Sequence, residues 1–235
     1  RQQQARLDLT KPFFIRKDQT LSLTSSLERE DSDAFDELSI GAGASIARAF
    51  TRRLSGSTGV ELKISQIEGK NTLIQDNFAL LSFPHSLTWD SRNDKLNARK
   101  GRFIKGTSEP FLDMLGNSDP FFKNRVTAST YFGFEKNTVF AVRASVGSIQ
   151  GADIENVPAT ERFYAGGGGS VRGFGYQEVG PFMNGDPSGG ASIVEGAAEI
   201  RYKLTDTLGV VGFVDAGKVD ESPTPEFGDF SIGAG

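Results

Sequence analysis

The chain has 235 residues, a formal net charge of −4 and no cysteine. The acidic balance gives no electrostatic reason to expect a nucleic-acid partner, and the lack of cysteine excludes disulfides and thiolate metal sites. There are 28 glycines and 19 phenylalanines, but the hydrophobic content is only 37%. This combination is typical of a transmembrane β-barrel, whose lipid face is apolar and whose lumen is polar.

Alternation of apolar and polar residues predicts β-strands along nearly the whole chain. The predicted strands lie at 4–9, 20–28, 37–50, 58–66, 78–91, 100–108 (a weaker one), 123–135, 138–149, 192–204, 208–217 and 229–235. These are about ten to eleven strands, and many approach the 9–11 residues that cross a bilayer when tilted. Because the chain lacks an initial Met and ends within a strand, we expect it to be a fragment of something longer.

The predicted connections alternate between short and long. The short ones are 15–19, 51–56, 135–137 and 205–207, and the long ones are 29–36, 68–76, 109–122, 150–191 and 220–228. Outer-membrane barrels have short periplasmic turns and longer external loops. The connection 90–100 is an exception, because it is long but falls on the short side.

A soluble β-sandwich or lipocalin-like barrel shares this alternation, but turns its apolar face inward. Several charged residues lie in the middle of strands and would face the lumen of a membrane barrel, namely Arg125, Arg143, Glu195, Glu199 and Arg201. In a soluble barrel the solvated outer face of the strands would carry the same charged residues, so this pattern is shared by both architectures. Strand length and the asymmetry of the connections therefore favour the membrane barrel.

The long connection contains Val171, Arg172, Gly173 and Phe174, an arginine between residues that would be poorly placed in water. A solvated loop arginine is the alternative. If the segment folds into the lumen, Arg172 needs an acidic partner, because an unpaired desolvated charge costs several kcal/mol. The following strands offer lumen-facing carboxylates at Glu199 and Asp215, which a guanidinium can bridge with bidentate bonds.

This connection resembles the sixth extracellular loop of the BamA/TamA-type outer-membrane assembly factors, the bacterial surface antigen barrels. The resemblance is carried by Arg-Phe-Tyr-Ala-Gly-Gly at 162–167, Val-Arg-Gly-Phe at 171–174 and Gly-Pro at 180–181. The flanking segments are similar too: Gly-x-x-Glu-x-Arg at 196–201, Phe-x-Asp-x-Gly at 213–217, and a periplasmic turn at 89–94 with Lys100-Gly101.

The resemblance implies an all-β fold, a transmembrane antiparallel barrel of sixteen strands preceded by POTRA domains. Residues 1–235 would form part of that barrel domain, without the POTRA domains and the terminal gate strands. Loop 151–191 would plug the lumen, with Arg172 on Asp215 and Glu199. Supporting residues would be Gly166, Gly167, Gly180, Pro181, Phe213, Gly217 and Arg201.

The run from Val171 to Pro181 is most similar to the TamA subfamily. This implies a bacterial outer-membrane protein that assembles or translocates β-barrel or autotransporter clients. The implied partners are outer-membrane lipid, unfolded client proteins and a periplasm-spanning TamB-like protein. A BamA-type insertase and a two-partner-secretion transporter are alternatives. A porin-like passive channel is a further one, as is a soluble adhesin.

Enzyme chemistry finds little support in the sequence, and we expect no catalytic residue, metal or cofactor. The single histidine, His85, follows Pro84 on an apolar strand face, which favours a structural role. The glycine run has Phe174 where a phosphate-binding loop needs lysine, and Arg92 occupies a ligand position of any calcium loop at 90–94. Glu195 and Glu199 share a strand face, where ion pairing to arginine is the better interpretation than hydrolysis.

Overall fold

A computed structural model of the chain describes residues 2–69, 76–205 and 207–235. The strands are β1 (Gln2–Pro12), β2 (Gln19–Asp31), β3 (Phe35–Ala49), β4 (Leu54–Gly69), β5 (Asp76–Ser82), β6 (His85–Asp90), β7 (Lys100–Asp113), β8 (Phe121–Phe134), β9 (Thr138–Gln150), β10 (Phe182–Met183), β11 (Asp186–Pro187), β12 (Ser192–Lys203), β13 (Gly209–Asp220) and β14 (Ser231–Ala234). Two 3₁₀ turns lie at Ile154–Asn156 and Ala159–Glu161. Within the described ranges, no helix is both long and apolar enough to span a bilayer.

Twelve strands form one antiparallel sheet in the order β1-β2-β3-β4-β5-β7-β8-β9-β12-β13-β14, with β6 between β4 and β7. The predicted all-β antiparallel architecture is confirmed. The strand predicted at 78–91 is interrupted, because Phe83 and Pro84 separate β5 from β6. Proline has no N–H to donate to a ladder and is therefore found at such breaks. β5 and β6 share one position in the sheet, which leaves eleven positions.

The connection predicted to be long at 29–36 is in fact short, with only residues 32–34 between β2 and β3. The Ser32 hydroxyl accepts a hydrogen bond from the N–H of Phe35 at 3.2 Å and donates to its carbonyl oxygen at 3.0 Å. This closes a tight turn and lets both strands extend towards it. Residues 70–75 of the connection predicted at 68–76 lie outside the described residues.

The sheet has one apolar and one polar face. Neighbouring strands align apolar side chains on the outer face, as in Val126 opposite Val146 and Phe132 opposite Phe140. The mid-strand charges, Arg125, Arg143, Glu195, Glu199 and Arg201, are buried or half-buried on the inner face. The two faces therefore follow the period of two that the sequence shows.

The connection between β9 and β12, residues 151–191, covers the inner face of the sheet, and we call it the inner loop. Buried apolar side chains of the loop, such as Phe163 and Val171, form one cluster with side chains of the sheet, such as Phe78, Phe121 and Ile193. Burying each such side chain contributes roughly 1.5–3 kcal/mol. The hydrophobic core of the described chain therefore lies between the loop and the wall.

Candidate functional site

The inner loop folds back on itself before it meets the wall. Two isolated antiparallel bridges, Phe163 with Gly190 and Ala165 with Val179, join its outgoing and returning limbs. The predicted supporting residues Gly166, Gly167 and Gly180 have φ of 108°, 87° and 138°. Positive φ costs glycine nothing sterically, which lets the limbs turn within a short length of chain.

Arg162 holds the two limbs together from within. Its guanidinium donates to the carbonyl oxygens of Val157 at 2.9 Å, Ser188 at 3.0 Å and Glu155 at 3.4 Å. Burial lowers the pKa of Arg162 from its ordinary value. Arg162 belongs to the motif at 162–167, but its role was not predictable, because backbone acceptors leave no signature in the sequence.

Arg172 docks on the wall through two carboxylates. Its Nε and Nη2 donate to Asp215 Oδ2 and Oδ1 at 2.6 and 2.8 Å, and its backbone N–H donates to the same Oδ2 at 3.1 Å. Its Nη1 lies 2.8 Å from Glu199 Oε1. The Asp215 side chain is fully buried. Hydrogen bonding to Asp215 raises the pKa of Arg172, so the guanidinium stays charged.

The wall fits the backbone and side chains next to Arg172. The Phe213 ring lies under the guanidinium, whose Cζ is 3.6 Å from the ring centroid. Val171 is fully buried against Gly217, where a Cβ would overlap its Cγ2. In β14, a Cβ on Gly233 would overlap the carbonyl oxygen of Arg172. Glycine at these two wall positions allows the loop backbone to approach the sheet closely.

Glu199 is shared between the loop and the wall. Its Oε1 faces Arg172, and its Oε2 accepts from Arg201 Nη2 at 2.6 Å and Nε at 2.9 Å. Arg201 therefore contacts the loop only through Glu199 among the contacts described. This arrangement neutralises the second oxygen of Glu199 while leaving the first to Arg172.

A second set of polar contacts, which was not predicted from the sequence, lies beside Arg172. Arg143 donates to the carbonyl oxygens of Gly169 and Ser170 at 3.1 and 3.2 Å. The Ser170 hydroxyl donates to Glu195, which also pairs with Arg125. Both arginines were predicted to face the lumen, but Arg143 binds loop backbone and Arg125 reaches the loop through Glu195 and Ser170, which no sequence pattern identifies.

The remaining motif residues pack rather than pair. Phe174 is partly buried against the hydrophobic cluster, and Gly173, with φ of 98°, approaches Gly233. Gly180 lies over the side chain of Val219, where a Cβ would come within 2.9 Å of its Cβ. The carbonyl oxygen of Pro181 accepts from the N–H of Ser188 at 3.1 Å. These contacts close the returning limb of the loop.

The arrangement anchors a loop and offers little for covalent chemistry. Glu195 and Glu199, the paired carboxylates considered for hydrolysis, each contact arginine. His85 is exposed on β6 with its Nδ1 2.9 Å from the hydroxyl oxygen of Thr58. Across the described ranges, no three His, Cys, Asp or Glu side chains gather closely enough to hold a metal ion.

Comparisons with known proteins point to one family. Residues 1–235 match the Omp85 superfamily domain. The sorting and assembly machinery component 50 homologue of Bos taurus is 30% identical over 132 residues, 56% of this chain and 28% of that protein. The outer membrane protein assembly factor BamA of Nitratidesulfovibrio vulgaris is 30% identical over 134 residues, 55% of this chain and 17% of that protein.

Solved structures share the fold. BamA from Haemophilus ducreyi, lacking POTRA domains 1–3, has a TM-score of 0.78 at 18% identity, covering 93% of this chain and 49% of that one. CdiB from Acinetobacter baumannii has a TM-score of 0.55 at 15% identity, covering 99% of this chain and 49% of that one. The chain thus spans less than a third of these curated relatives and about half of these barrel structures.

Proposed function

Because the chain belongs to the Omp85 superfamily, we propose that it is part of an outer-membrane factor that inserts or secretes β-barrel or autotransporter clients, in the manner of TamA. The protein lies in the bacterial outer membrane, and its sheet is a fragment of a transmembrane barrel. Members of this superfamily assemble or secrete outer-membrane proteins. Within that activity we assign the chain to the TamA-like branch. We assign to the docked inner loop the role of plugging the lumen.

One observation carries the proposal: the bidentate contact of Arg172 with the fully buried Asp215. A passive porin needs an open, wet lumen, whereas this loop fills the inner face with apolar side chains and buries a carboxylate. Removing one partner of a buried ion pair costs roughly 3–5 kcal/mol. A loop held so firmly supports a plugged assembly factor over a porin, an adhesin or an enzyme.

A BamA-type insertase is the second candidate. The relative from Nitratidesulfovibrio vulgaris and the structure from Haemophilus ducreyi both bear the name BamA, whereas the similarity to TamA rests on residues 171–181. A two-partner-secretion transporter would use the same barrel. Expression in a strain depleted of its own BamA, and in another lacking TamA, separates the first two functions by which defect is rescued.

The proposed partners follow from the barrel and the branch. The apolar outer face, with exposed side chains such as Leu62, Ile64 and Val126, suits outer-membrane lipid. Unfolded outer-membrane or autotransporter proteins are the clients. A periplasm-spanning TamB-like protein is the partner of the TamA-like branch.

A charge exchange tests the role of the docked loop. In the protein as the cell makes it, Arg172→Glu and Asp215→Arg each bring like charges together at a buried site, and the double variant restores opposite charges. We expect each single variant to lose client assembly and the double variant to recover a measurable part. The measurements are rescue of a deletion strain and the gel shift of the folded barrel on heating.

The half-exposed pair Arg48–Asp18 provides the matched control. Their side chains are 36% and 35% exposed with Nε and Oδ2 2.7 Å apart, and such pairs contribute about 0–1 kcal/mol. Arg48→Glu should therefore leave assembly unchanged. A fully active Arg172→Glu variant would contradict the docked loop and favour a porin-like channel.

A further inference from the structure

A second group of charged side chains meets the inner loop on strands other than those that bind Arg172. Glu161, at the end of the second 3₁₀ turn, lies 3.2 Å from Lys123 through Oε2 and 3.5 Å from Lys63 through Oε1. Lys63 also pairs with Glu37 at 2.9 Å. Glu161 and Glu37 are only 13% and 4% exposed. We call these four residues the Glu161 cluster.

The cluster joins strands that are not neighbours. Lys63 is on β4 and Lys123 is on β8, and β5 with β6, then β7, lie between them in the sheet. At about 4.8 Å between adjacent strands, three steps separate β4 from β8 by roughly 14 Å along the sheet. One carboxylate from the loop therefore ties together strands that no ladder hydrogen bond joins.

The bridged part of the wall has an interrupted backbone ladder. β5 pairs with β7 over only three residues, Leu80 to Ser82 with Asp113 to Phe111. Phe83 and Pro84 then interrupt the strand, and β6 pairs with β7 over six residues, from His85 to Asp90. By contrast, β7 pairs with β8 without interruption from Lys100 to Phe111. A contact from β4 to β8 over the inner face supports the wall where its ladder is divided between two short strands.

The charges in the cluster balance. Two carboxylates face two ammonium groups, so removing Glu161 leaves a buried excess of positive charge. Burial alone would raise the pKa of Glu161, but Lys123 and Lys63 outweigh it, and the pKa lies below that of a free glutamate. Glu109 of β7 lies nearby and accepts from the Ser82 hydroxyl at 2.8 Å, so its carboxylate already has a partner.

We propose that Glu161 is a second electrostatic anchor of the inner loop, which positions the outgoing limb and braces the wall between β4 and β8. It acts apart from Arg172, whose partners are on β12 and β13. The loop is thus fixed at two separate places on the wall, one on each limb of the chain around the glycine run. The proposal does not depend on which clients the protein assembles.

Cleavage by trypsin can report on the two anchors separately. The inner loop contains two arginines, Arg162 and Arg172, and no lysine. Arg162 follows Glu161 directly, so release of this anchor removes one of the contacts that protect the peptide bond after Arg162. Cleavage of a transiently opened segment follows the population of the open form.

The experiment compares cleavage rates in the folded barrel in detergent, with fragments identified by mass. We expect Glu161→Gln to speed cleavage after Arg162 by about tenfold or more, since breaking a buried pair is costly, and to leave cleavage after Arg172 within about twofold. Glu155→Gln is the matched control, because it removes the same charge from an exposed side chain of the same loop. Its rates should equal those of the wild type.

A double-mutant cycle tests the contact itself. Lys123→Gln alone leaves an excess of negative charge, whereas Glu161→Gln with Lys123→Gln leaves the Lys63–Glu37 pair and no net charge. We expect the double variant to be cleaved no faster than Glu161→Gln, which indicates coupling. Independent, multiplicative effects would overturn the proposal. So would unchanged cleavage after Arg162 in Glu161→Gln.

If Glu161→Gln does not fold, Lys123→Gln supplies the test, because Lys63 still holds Glu161. We then expect Lys123→Gln to speed cleavage after Arg162 relative to the wild type, but by less than the increase expected for Glu161→Gln. The absence of any increase would overturn the anchor. If the Arg172 and Asp215 variants show no effect but this cycle shows coupling, the proposed function is contradicted and the second anchor is still supported. The two proposals are therefore distinguishable.

Discussion

Val171 of the inner loop packs tightly against Gly217 of the wall. Val171 is fully buried, and its Cγ2 occupies the space that a Cβ on Gly217 would need. The absence of a side chain at residue 217 is thus a requirement of docking. Gly196 on the adjacent β12 differs, because nothing lies within 4 Å of the position of its Cβ.

Gly217→Ala and Gly196→Ala should therefore have opposite effects on stability. Alanine in a strand reduces the freedom of the unfolded chain and stabilises by roughly 0.4–1 kcal/mol where it fits, as at Gly196. At Gly217 overpacking should cost about 1–3 kcal/mol. The temperature of the gel shift on heating measures both.

Val171→Ala in the Gly217→Ala background is the check on the cause. It removes the methyl group that clashes, so the double variant should be more stable than Gly217→Ala alone. Equal stability would mean that strain in β13 itself, and not the contact with Val171, causes the loss.

Residue patterns located some of the site and not the rest. Arg172, Asp215 and Glu199 could be named together because Arg172 lies between apolar residues and glycine, and the two carboxylates stand at lumen-facing positions of the strands that follow the loop. Glu161 could not, since its lysines stand on ordinary alternating strands and Lys123 is 38 residues away. Arg162 binds only carbonyl oxygens among its described contacts, and every residue carries one.

At the level of elements, the inner loop packs on β9 through one aromatic ring. Phe163 is 4% exposed, and its ring fills the space over Gly147, where a Cβ would lie 2.6 Å from its Cζ. Lys123 and Arg125 stand 5.6 and 6.0 Å from the ring centroid. The ring thus joins the apolar cluster to the charged inner face.

Phe163→Ala should cost about 3–5 kcal/mol, the usual cost of emptying a buried aromatic site. Phe182, in the same loop but 49% exposed, provides the control, and Phe182→Ala should cost much less. Urea titration of the folded barrel in detergent measures the difference. Equal losses in the two variants would contradict the view that the loop is held by its buried side.

The strand positions and their two faces were predictable because the strands show a period of two in the sequence. Strand ends were not. The turn at residues 32–34 depends on one serine hydroxyl, and the break between β5 and β6 depends on Pro84 within a run that otherwise alternates. Such local bonds override a pattern that is averaged over many residues.

For the whole molecule, the outer face must match lipid. Val126 and Ser129 are three residues apart on β8, but Val126 points outward and is 54% exposed, whereas Ser129 is half-buried on the inner face. A lysine on the lipid face of a barrel costs roughly 2–4 kcal/mol near the bilayer midplane. The inner face already carries many charges and should accept one more.

We therefore expect Val126→Lys to lower the stability of the barrel in lipid vesicles by about 2–4 kcal/mol and Ser129→Lys to change it much less. Reversible unfolding of the protein in vesicles provides the measurement. The reverse order of the two variants would mean that the faces of the sheet are assigned the wrong way round.

The two anchors of the inner loop also set an order of events during folding. Arg172 must wait for a partner 43 residues further along the chain, while Glu161 meets a lysine 38 residues before it. Closing such separations costs chain entropy before any contact is gained. The Glu161 anchor can form as soon as the earlier strands exist, but the Arg172 anchor needs β13, so we expect the loop to close stepwise from its N-terminal limb.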